Sequence, residues 1–594
     1  MVTYRAPLDE IRFVLYELLD YESTVASLPG YEDGTPDIVD AILEEGAKFC
    51  ENELLPLNLS GDAEGCSFEN GVVRTPKGFK QAYDAFVAAG WTGLSCDPEF
   101  GGQGLPKTLQ VLLDEFVCST NLSFGTYPGL SHGAYNALEL HGTEVQKRLY
   151  LPRLVDGTWS GTMCLTEPHC GTDLGLIRTR AEPDGDGYRI TGTKIFISAG
   201  EHDLTENIVH LVLAKLPDAP PGTRGISLFT VPKFLVGADG APGPRNGVAC
   251  GAIEHKMGIK ASSTCVMNFD GAQGELVGEP HEGMRYMFTM MNAARLAVGV
   301  QGLGLAETAY QSAVAYARER LQGRSLKGPR YPDKPADPII VHPDIRKKLL
   351  TMRAYTEAAR ALAIWTGMEL DIAARHPDAQ RRAEADDLVA LMTPIIKAFC
   401  TDHGFDAANM GVQVFGGHGY IHEHGMEQLV RDARITQLYE GANGIQALDL
   451  VGRKMSQHAG RALRRFFHPV AQFIEANMED ARLAEFVMPL AKSFARLQQT
   501  TLWIAQEGLR DRDQVGAAAS DYLRFFALVT LAYIWARKAK IALERPNGHG
   551  PNFYDAKLAT ARFYMKCLLP QTSSLATAIM AGAEPVMNVD EDWF

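Results

Sequence analysis

The chain reads as a mainly α protein with a central β-barrel domain and a C-terminal helical extension. Three observations predict this. Helical spacing of apolar residues dominates to about residue 157, short β-type runs parted by Gly, Pro and Asp follow to about residue 279, and long helical patterns then return. The 594 residues are too many for one core and require three or four domains.

Leu8, Ile11, Val14, Leu15, Leu18 and Leu19 line one face of an N-terminal helix within an extension spanning residues 1–35. A helical domain is expected over residues 36–160. Within it Thr143-Glu-Val-Gln-Lys147 is a helix start, because a Thr hydroxyl caps exposed amides and Glu144 sits in the favourable first turn. The β-barrel domain is expected over residues 161–279, with Tyr188–Thr191, Lys194–Ser198, Ile208–Leu213 and Gly225–Val231 as strands. Helices resume over residues 280–455, interrupted from Gly328 to Pro343 by a segment whose five prolines predict an extended loop. Residues 456–594 form the extension. Their sixteen Lys/Arg against fourteen Asp/Glu leave it nearly neutral, so a bundle packed on its neighbour is expected rather than a membrane-docking face.

Bulk properties exclude several classes. A hydrophobic fraction of 46% and a charged fraction of 22% are those of a globular protein, and a net charge of −15 argues against a nucleic-acid surface. Ten cysteines without a CxxC pair suit reduced thiols, so Cys164 and Cys170 are read as packed thiols and the chain as cytoplasmic. The strongest apolar run, Phe525 to Ala536, is 12 residues, too short to cross a bilayer. Gly299-Val-Gln-Gly-Leu-Gly-Leu-Ala306 follows a helical stretch rather than a strand, so its small residues are read as close helix contacts, not a dinucleotide loop. His418, His422 and His424 lie among glycines without a supporting ligand cluster and are read as a turn or pocket lining, with no metal expected.

The most informative run is Gln413-Val-Phe-Gly-Gly-His-Gly-Tyr420 followed by Arg431-Asp-Ala-Arg-Ile-Thr-Gln-Leu-Tyr-Glu-Gly441. Glu440 follows Ile435, Leu438 and Tyr439 and precedes Gly441, which predicts an acid leaving an apolar helical face where the helix stops. A carboxylate buried there would have its pKa raised and could take a weakly acidic carbon-bound proton. The residues alone leave open a surface glutamate that merely ends a helix.

This segment resembles the flavin-binding and catalytic stretch of the acyl-CoA dehydrogenases, whose base is the glutamate of a Tyr-Glu-Gly motif. Gln413 precedes Glu440 by 27 residues, which fits the family's spacing. Met163-Cys-Leu-Thr-Glu-Pro-His-Cys-Gly-Thr-Asp173 is similar to the family's first signature, and Gly192-Thr-Lys-Ile-Phe-Ile-Ser198 to its Gly-x-Lys-x-Trp-Ile-Thr strand. Further matches run from Gly90-Trp-Thr-Gly-Leu94 to Tyr316-Ala-Arg-Glu-Arg320, so the resemblance covers roughly residues 36–455. Tyr4-Arg-Ala-Pro-Leu8, the Glu167-Pro-His-Cys-Gly-Thr wording and the C-terminal segment resemble the long branch that includes 3-methylmercaptopropionyl-CoA dehydrogenases.

The resemblance implies FAD as cofactor and an acyl-CoA thioester as substrate, oxidised to a trans-2-enoyl-CoA. The substrate implied is 3-methylmercaptopropionyl-CoA or a similar short-to-medium chain. It also implies an electron-transfer flavoprotein as acceptor and a homodimer or dimer of dimers. An oxygen-using acyl-CoA oxidase and a non-catalytic, DNA-associated relative are the alternatives; the retained Glu440 and the acidic charge argue against the second. By resemblance Glu440 is the base, and Met163, Leu165, Thr166, Phe196 and Ser198 surround the flavin ring, with Phe196 stacking where the family has Trp. Arg320 would reach a flavin pyrophosphate, while Gln413, Gly416 and Gly417 would close on its ADP portion. Thr172, Arg295, Tyr439 and Gly441 would contact substrate, with a helix-start salt bridge as the other reading of Arg295. Ala442 replaces the usual Thr and removes one hydroxyl from the cofactor side.

Overall fold

The computed structural model describes residues 2–237, 240–545 and 549–594. It divides into two compact units, one comprising Lys48–Leu105 with Phe116–Ala297, the other Met1–Ala47, Pro106–Glu115 and Val298–Phe594.

The first unit combines helices with the β domain. Helices α1 (Phe79–Ala88), α2 (Leu122–His141) and α3 (Glu144–Val155) precede the sheet. Thr143 starts α3 as its sequence predicts. Its hydroxyl accepts the Gln146 N–H at 3.2 Å while the Gln146 side-chain oxygen accepts the Thr143 N–H at 3.0 Å, a reciprocal cap. A short hairpin, Ser67–Glu69 with Val72–Arg74, interrupts the helical region.

Seven strands form the main sheet: β1 (Trp159–Cys164), β2 (Arg180–Asp184), β3 (Gly187–Ser198), β4 (Asn207–Lys215), β5 (Ile226–Pro232), β6 (Val248–Ile253) and β7 (Thr264–Val277). Strand β5 pairs with both β4 and β7, and β3 joins β7 to β2. Strands β2 and β4 meet only at Arg180 and Lys215, so the sheet curls without forming a regular barrel. The run Ile208–Leu213 is apolar apart from His210 because β4 is buried on both faces. Val209, Leu211 and Leu213 pack with Leu138 and Trp159, whereas Val212 and Ala214 face Ile190 and Phe229. The two expected strands around Tyr188 and Lys194 are one strand, β3.

The second unit is helical, built from α4 (Gly283–Glu319, from Val298 onward), α5 (Pro343–Arg375), α6 (Ala379–Phe415), α7 (Met426–Thr436), α8 (Asn443–Asp449), α9 (Arg461–Asn477), α10 (Ala484–Arg510), α11 (Asp513–Glu544), α12 (Phe553–Phe563) and α13 (Gln571–Met580). The glycines near residue 300 serve helix contact. A Cβ at Gly302 would lie 2.3 Å from the Cys400 carbonyl oxygen, and one at Gly299 2.6 Å from Ile396.

Helix α11 corrects the reading of Phe525–Ala536 as too short to span a bilayer. Its 32 residues are long and apolar enough by length and composition, and 67% of that apolar window is buried inside the protein. It serves as a core helix: Phe525, Phe526, Leu528 and Trp535 are fully buried, and the Trp535 indole donates to the Ala354 carbonyl of α5 at 2.9 Å.

The N-terminal helix, Leu8–Arg12 widening over Phe13–Leu18, packs on this extension, with the Phe13 ring 5.5 Å from Phe553. Buried charges bind the pieces together. Glu10 pairs with Lys538 and Lys557, Lys557 also with Glu357, and Arg360 with Glu115 and Glu307. Each of these buried charges has a partner of opposite sign, the condition under which such groups are tolerated. The Pro-rich loop wraps Asp337, whose carboxylate accepts backbone N–H groups from Ser325, Arg330 and Tyr331. Burial alone would raise its pKa; those amides and Arg324 instead bring it down to about 2.

Candidate active site

The run Arg431–Gly441 forms the end of α7 and the turn that leads to α8. Helix α7 ends at Thr436, four residues before Glu440, so Glu440 lies half-buried in the interhelical turn, and the expectation of an acid leaving an apolar helical face where the helix stops is corrected. The apolar residues before it carried the helical pattern, but the chain leaves the helix sooner. Glu440 and Gly441 take consecutive left-handed conformations, φ +55° and +86°. A glutamate there is strained, a feature that persists where surrounding contacts impose it.

Those contacts are specific. The Asn443 N–H donates to the Gln437 carbonyl at 3.1 Å and closes the turn. Asn443 accepts from Lys397 at 2.8 Å and donates to Asp402 at 2.7 Å, and Gln437 donates to the same Asp402 oxygen at 2.7 Å, pinning the turn to α6. Tyr439 donates its hydroxyl to Gln301 of α4 at 2.5 Å. The Gln446 side-chain amide donates to the carbonyls of both Glu440 and Gly441, at 3.1 Å each.

A second group lies elsewhere in the same unit. Tyr316 stacks on Phe415 at 4.1 Å and hydrogen-bonds His418 at 3.0 Å, bringing the end of α4 and exposed Arg320 to the loop carrying Gln413, Gly416 and Gly417. Tyr316 is fifteen residues beyond Gln301 on α4, which places the two groups about 22 Å apart along the helix. His418 stacks on His424 at 4.9 Å, and His422 hydrogen-bonds Glu427 at 2.7 Å, within two short 3-10 turns.

In the β-containing unit the other predicted residues converge on one bulge. Cys265 pairs with Ile197 and Met267 with Lys194, so Ile195 and Phe196 oppose one residue of β7. Phe196 takes φ +58° and stands 59% exposed, although it is a large aromatic. The Thr166 carbonyl accepts the Ile195 N–H at 2.9 Å and the Leu165 carbonyl accepts the Lys194 ammonium at 2.9 Å, so Met163, Leu165 and Thr166 are tied to Phe196 and Ser198. Thr172 is exposed on the following loop.

Arg295 is buried in the interior of α4, twelve residues past its start, 3.4 Å from Asn292 and over the Phe288 ring. That position excludes a helix-start salt bridge.

Further groups hold these residues in place. Glu167 and Lys194 form a buried ion pair at 2.9 Å, and Glu167 also accepts from the Arg178 and Thr179 amides. Burial raises the Glu167 pKa, but Lys194 and these donors bring it below its ordinary value; burial depresses Lys194 despite Glu167. Glu167 lies in the Met163–Asp173 motif and Lys194 in the Gly192–Ser198 motif, and only the fold brings them together as partners. Gln446 and Lys397 carried no comparable signal.

Comparison with known proteins accounts for this arrangement. Family models match in chain order: acyl-CoA dehydrogenase N-terminal domain over residues 38–158, middle domain over 162–272, C-terminal domain over 281–455, and an acetyl-CoA dehydrogenase C-terminal like segment over 466–590. The chain belongs to the acyl-CoA dehydrogenase family. It is 44% identical over 579 residues to a 3-methylmercaptopropionyl-CoA dehydrogenase of Ruegeria pomeroyi, covering 96% of this chain and 97% of that one. It is 33% identical to the broad-specificity linear acyl-CoA dehydrogenase FadE5 of Mycobacterium tuberculosis over the full length of both. The fold matches an acyl-CoA dehydrogenase complexed with FAD from Bacillus anthracis at TM-score 0.75 and 22% identity, over 95% of this chain and 90% of that one.

This acyl-CoA dehydrogenase is an FAD-dependent enzyme that dehydrogenates an acyl-CoA thioester. Its residues fit the cofactor. Phe196 presents an aromatic face at a backbone cost that packing within its own unit does not require. A Cβ at Gly416 or Gly417 would meet nothing within 4 Å, leaving open backbone suited to an anionic group near Arg320.

Proposed function

We propose that Glu440 is the general base and that the natural substrate is 3-methylmercaptopropionyl-CoA or a short-to-medium acyl-CoA of similar length. The strained, braced turn at Glu440 carries the first part, and the likeness to the Ruegeria pomeroyi enzyme supports the second. The Glu440 carboxylate takes the α-proton, and a carbon–carbon double bond forms as the β-hydrogen leaves. FAD, when bound, supplies the acceptor for that hydride. The backbone N–H of Glu440 is assigned to the thioester carbonyl, where one oriented donor lowers the barrier by about 3 to 4 kcal/mol.

Met163, Leu165, Thr166, Phe196 and Ser198 hold the flavin ring, and Arg320, Gln413, Gly416 and Gly417 its phosphate and ADP end. Thr172, Arg295, Tyr439 and Gly441 contact the substrate. The separation of the Arg320 group from Glu440 along α4 suits a flavin shared between subunits, hence a homodimer or dimer of dimers. An electron-transferring flavoprotein is the acceptor known for the family and is proposed here. Unpaired cysteines support a cytoplasmic site, and the methylthio substrate would place the enzyme in dimethylsulfoniopropionate catabolism.

Glu440→Gln tests the base. The variant should keep its yellow colour and lose turnover by roughly 10²- to 10⁴-fold; turnover near the parent rate would exclude the assignment. Steady-state kinetics on a thioester panel with an electron-accepting dye test the substrate. A thioether and a methylene differ by only about 1 to 3 kcal/mol in such a pocket, so butyryl- and valeryl-type thioesters should also turn over. A strong preference for long or aromatic acyl groups would overturn the proposal. Stopped-flow reoxidation should be slow in air and fast with the flavoprotein.

A further inference from the structure

We infer that Gln446 is a positioning residue for the catalytic turn, acting through the backbone of Glu440 and Gly441; this rests on Glu440 being the base. Two successive left-handed residues turn their carbonyl groups out of any helical ladder, and the first is a glutamate, for which this conformation is unfavourable by roughly 1 to 2 kcal/mol. Gln446 lies fully buried on α8, and its one side-chain nitrogen donates to both carbonyls at 3.1 Å. The amide oxygen of Gln446 is buried without a hydrogen-bond partner. The orientation of the amide is therefore set by the two carbonyls, since reversing it would place oxygen against oxygen. A side chain that gives up an acceptor's partner to hold two strained carbonyls fixes the direction in which the Glu440 side chain leaves the backbone.

The Asn443, Lys397 and Asp402 cluster anchors the ends of the turn to α6, whereas Gln446 bonds through its side chain to the backbone of the two left-handed residues themselves. Loss of the end anchors would loosen the whole turn. Loss of Gln446 would leave the turn in place and release its centre.

The experiment compares Gln446→Leu and Gln446→Glu holoenzymes with the parent and with Glu440→Gln, using butyryl-CoA and an electron-accepting dye. Leu keeps the volume and removes the donor; Glu keeps the shape and, taking up a proton rather than burying a charge against two carbonyls, can donate to only one of them. Both should retain flavin and unfold near the parent temperature, hold KM within about threefold, and lose kcat by ten- to a hundredfold. The isotope effect with α-deuterated substrate should rise, because misdirected proton removal becomes slower than the other steps. Parent-like kcat and isotope effect in both variants, with Glu440→Gln inactive, would overturn the inference while leaving the base assigned. An active Glu440→Gln would overturn the base and the inference with it. Loss of flavin or of thermal stability in proportion to activity in both variants would make Gln446 a folding residue and also overturn it.

Discussion

At Phe196 the backbone conformation works against the residue type. A left-handed bulge position favours glycine, yet the chain places an exposed aromatic there. Phe196→Gly relieves about 1 to 2 kcal/mol of strain, offset in part by the greater freedom of the unfolded chain. Flavin-free protein should therefore unfold at or above the parent temperature, while flavin retention on dialysis should fall. A destabilised variant with full flavin occupancy would contradict the assignment.

Buried histidines give a second expectation at this scale. Burial pushes His202, His210 and His403 down to about 3, well below the ordinary imidazole value. Their folded pKa values are depressed, so the unfolded state binds the extra protons. Stability is present above about pH 6.5 and is lost as pH falls toward 3, by about 1.4 kcal/mol per pH unit for each group. Urea midpoints at pH 7.5, 6 and 5 should fall accordingly, and His403→Gln should remove about one proton from the slope. A midpoint flat across that range would refute it.

At the scale of elements, the Thr166 loop and the Phe196 bulge come from separate motifs and are joined by the Glu167–Lys194 pair. Lys194→Met would leave Glu167 buried without its partner and should destabilise the β-containing unit by about 3 to 5 kcal/mol. Adding Glu167→Gln should recover part of that loss. Thermal unfolding of the two single variants and the double variant measures the coupling; additive losses would show that the pair is not the clamp. The loop over residues 320–342 follows the same logic, since Asp337 replaces a regular ladder with amides gathered around one carboxylate.

Across the helical unit, the C-terminal extension is part of the core. Helix α11 contributes Phe525, Phe526 and Trp535 to the interior and meets α5 through Trp535, while Lys538 and Lys557 neutralise Glu10 and Glu357. Removing residues 456–594 should expose that apolar surface and leave Glu10 and Glu357 without their lysines, giving aggregated protein. A soluble, fully active truncation would show the extension to be an appendage. Glu10→Gln should act in the same direction and lower the unfolding temperature of the full chain.

Local rules acting on the sequence determined the helical periods, the Thr143 cap, the run of β4, the close contacts of Gly299 and Gly302, and the motifs that place Glu440, Thr166 and Phe196 in one family. These depend on residues near in sequence, or on wording specific enough to recognise. Tertiary structure decided the rest. The bulge under Phe196 needs the register of β7 against β3, the turn at Glu440 needs the α6 cluster, and α11 is a core helix only because α5, α8 and the N-terminal helix cover it. Each depends on partners tens to hundreds of residues away, whose positions no local propensity encodes, and strain or burial of this kind persists only where such partners hold it.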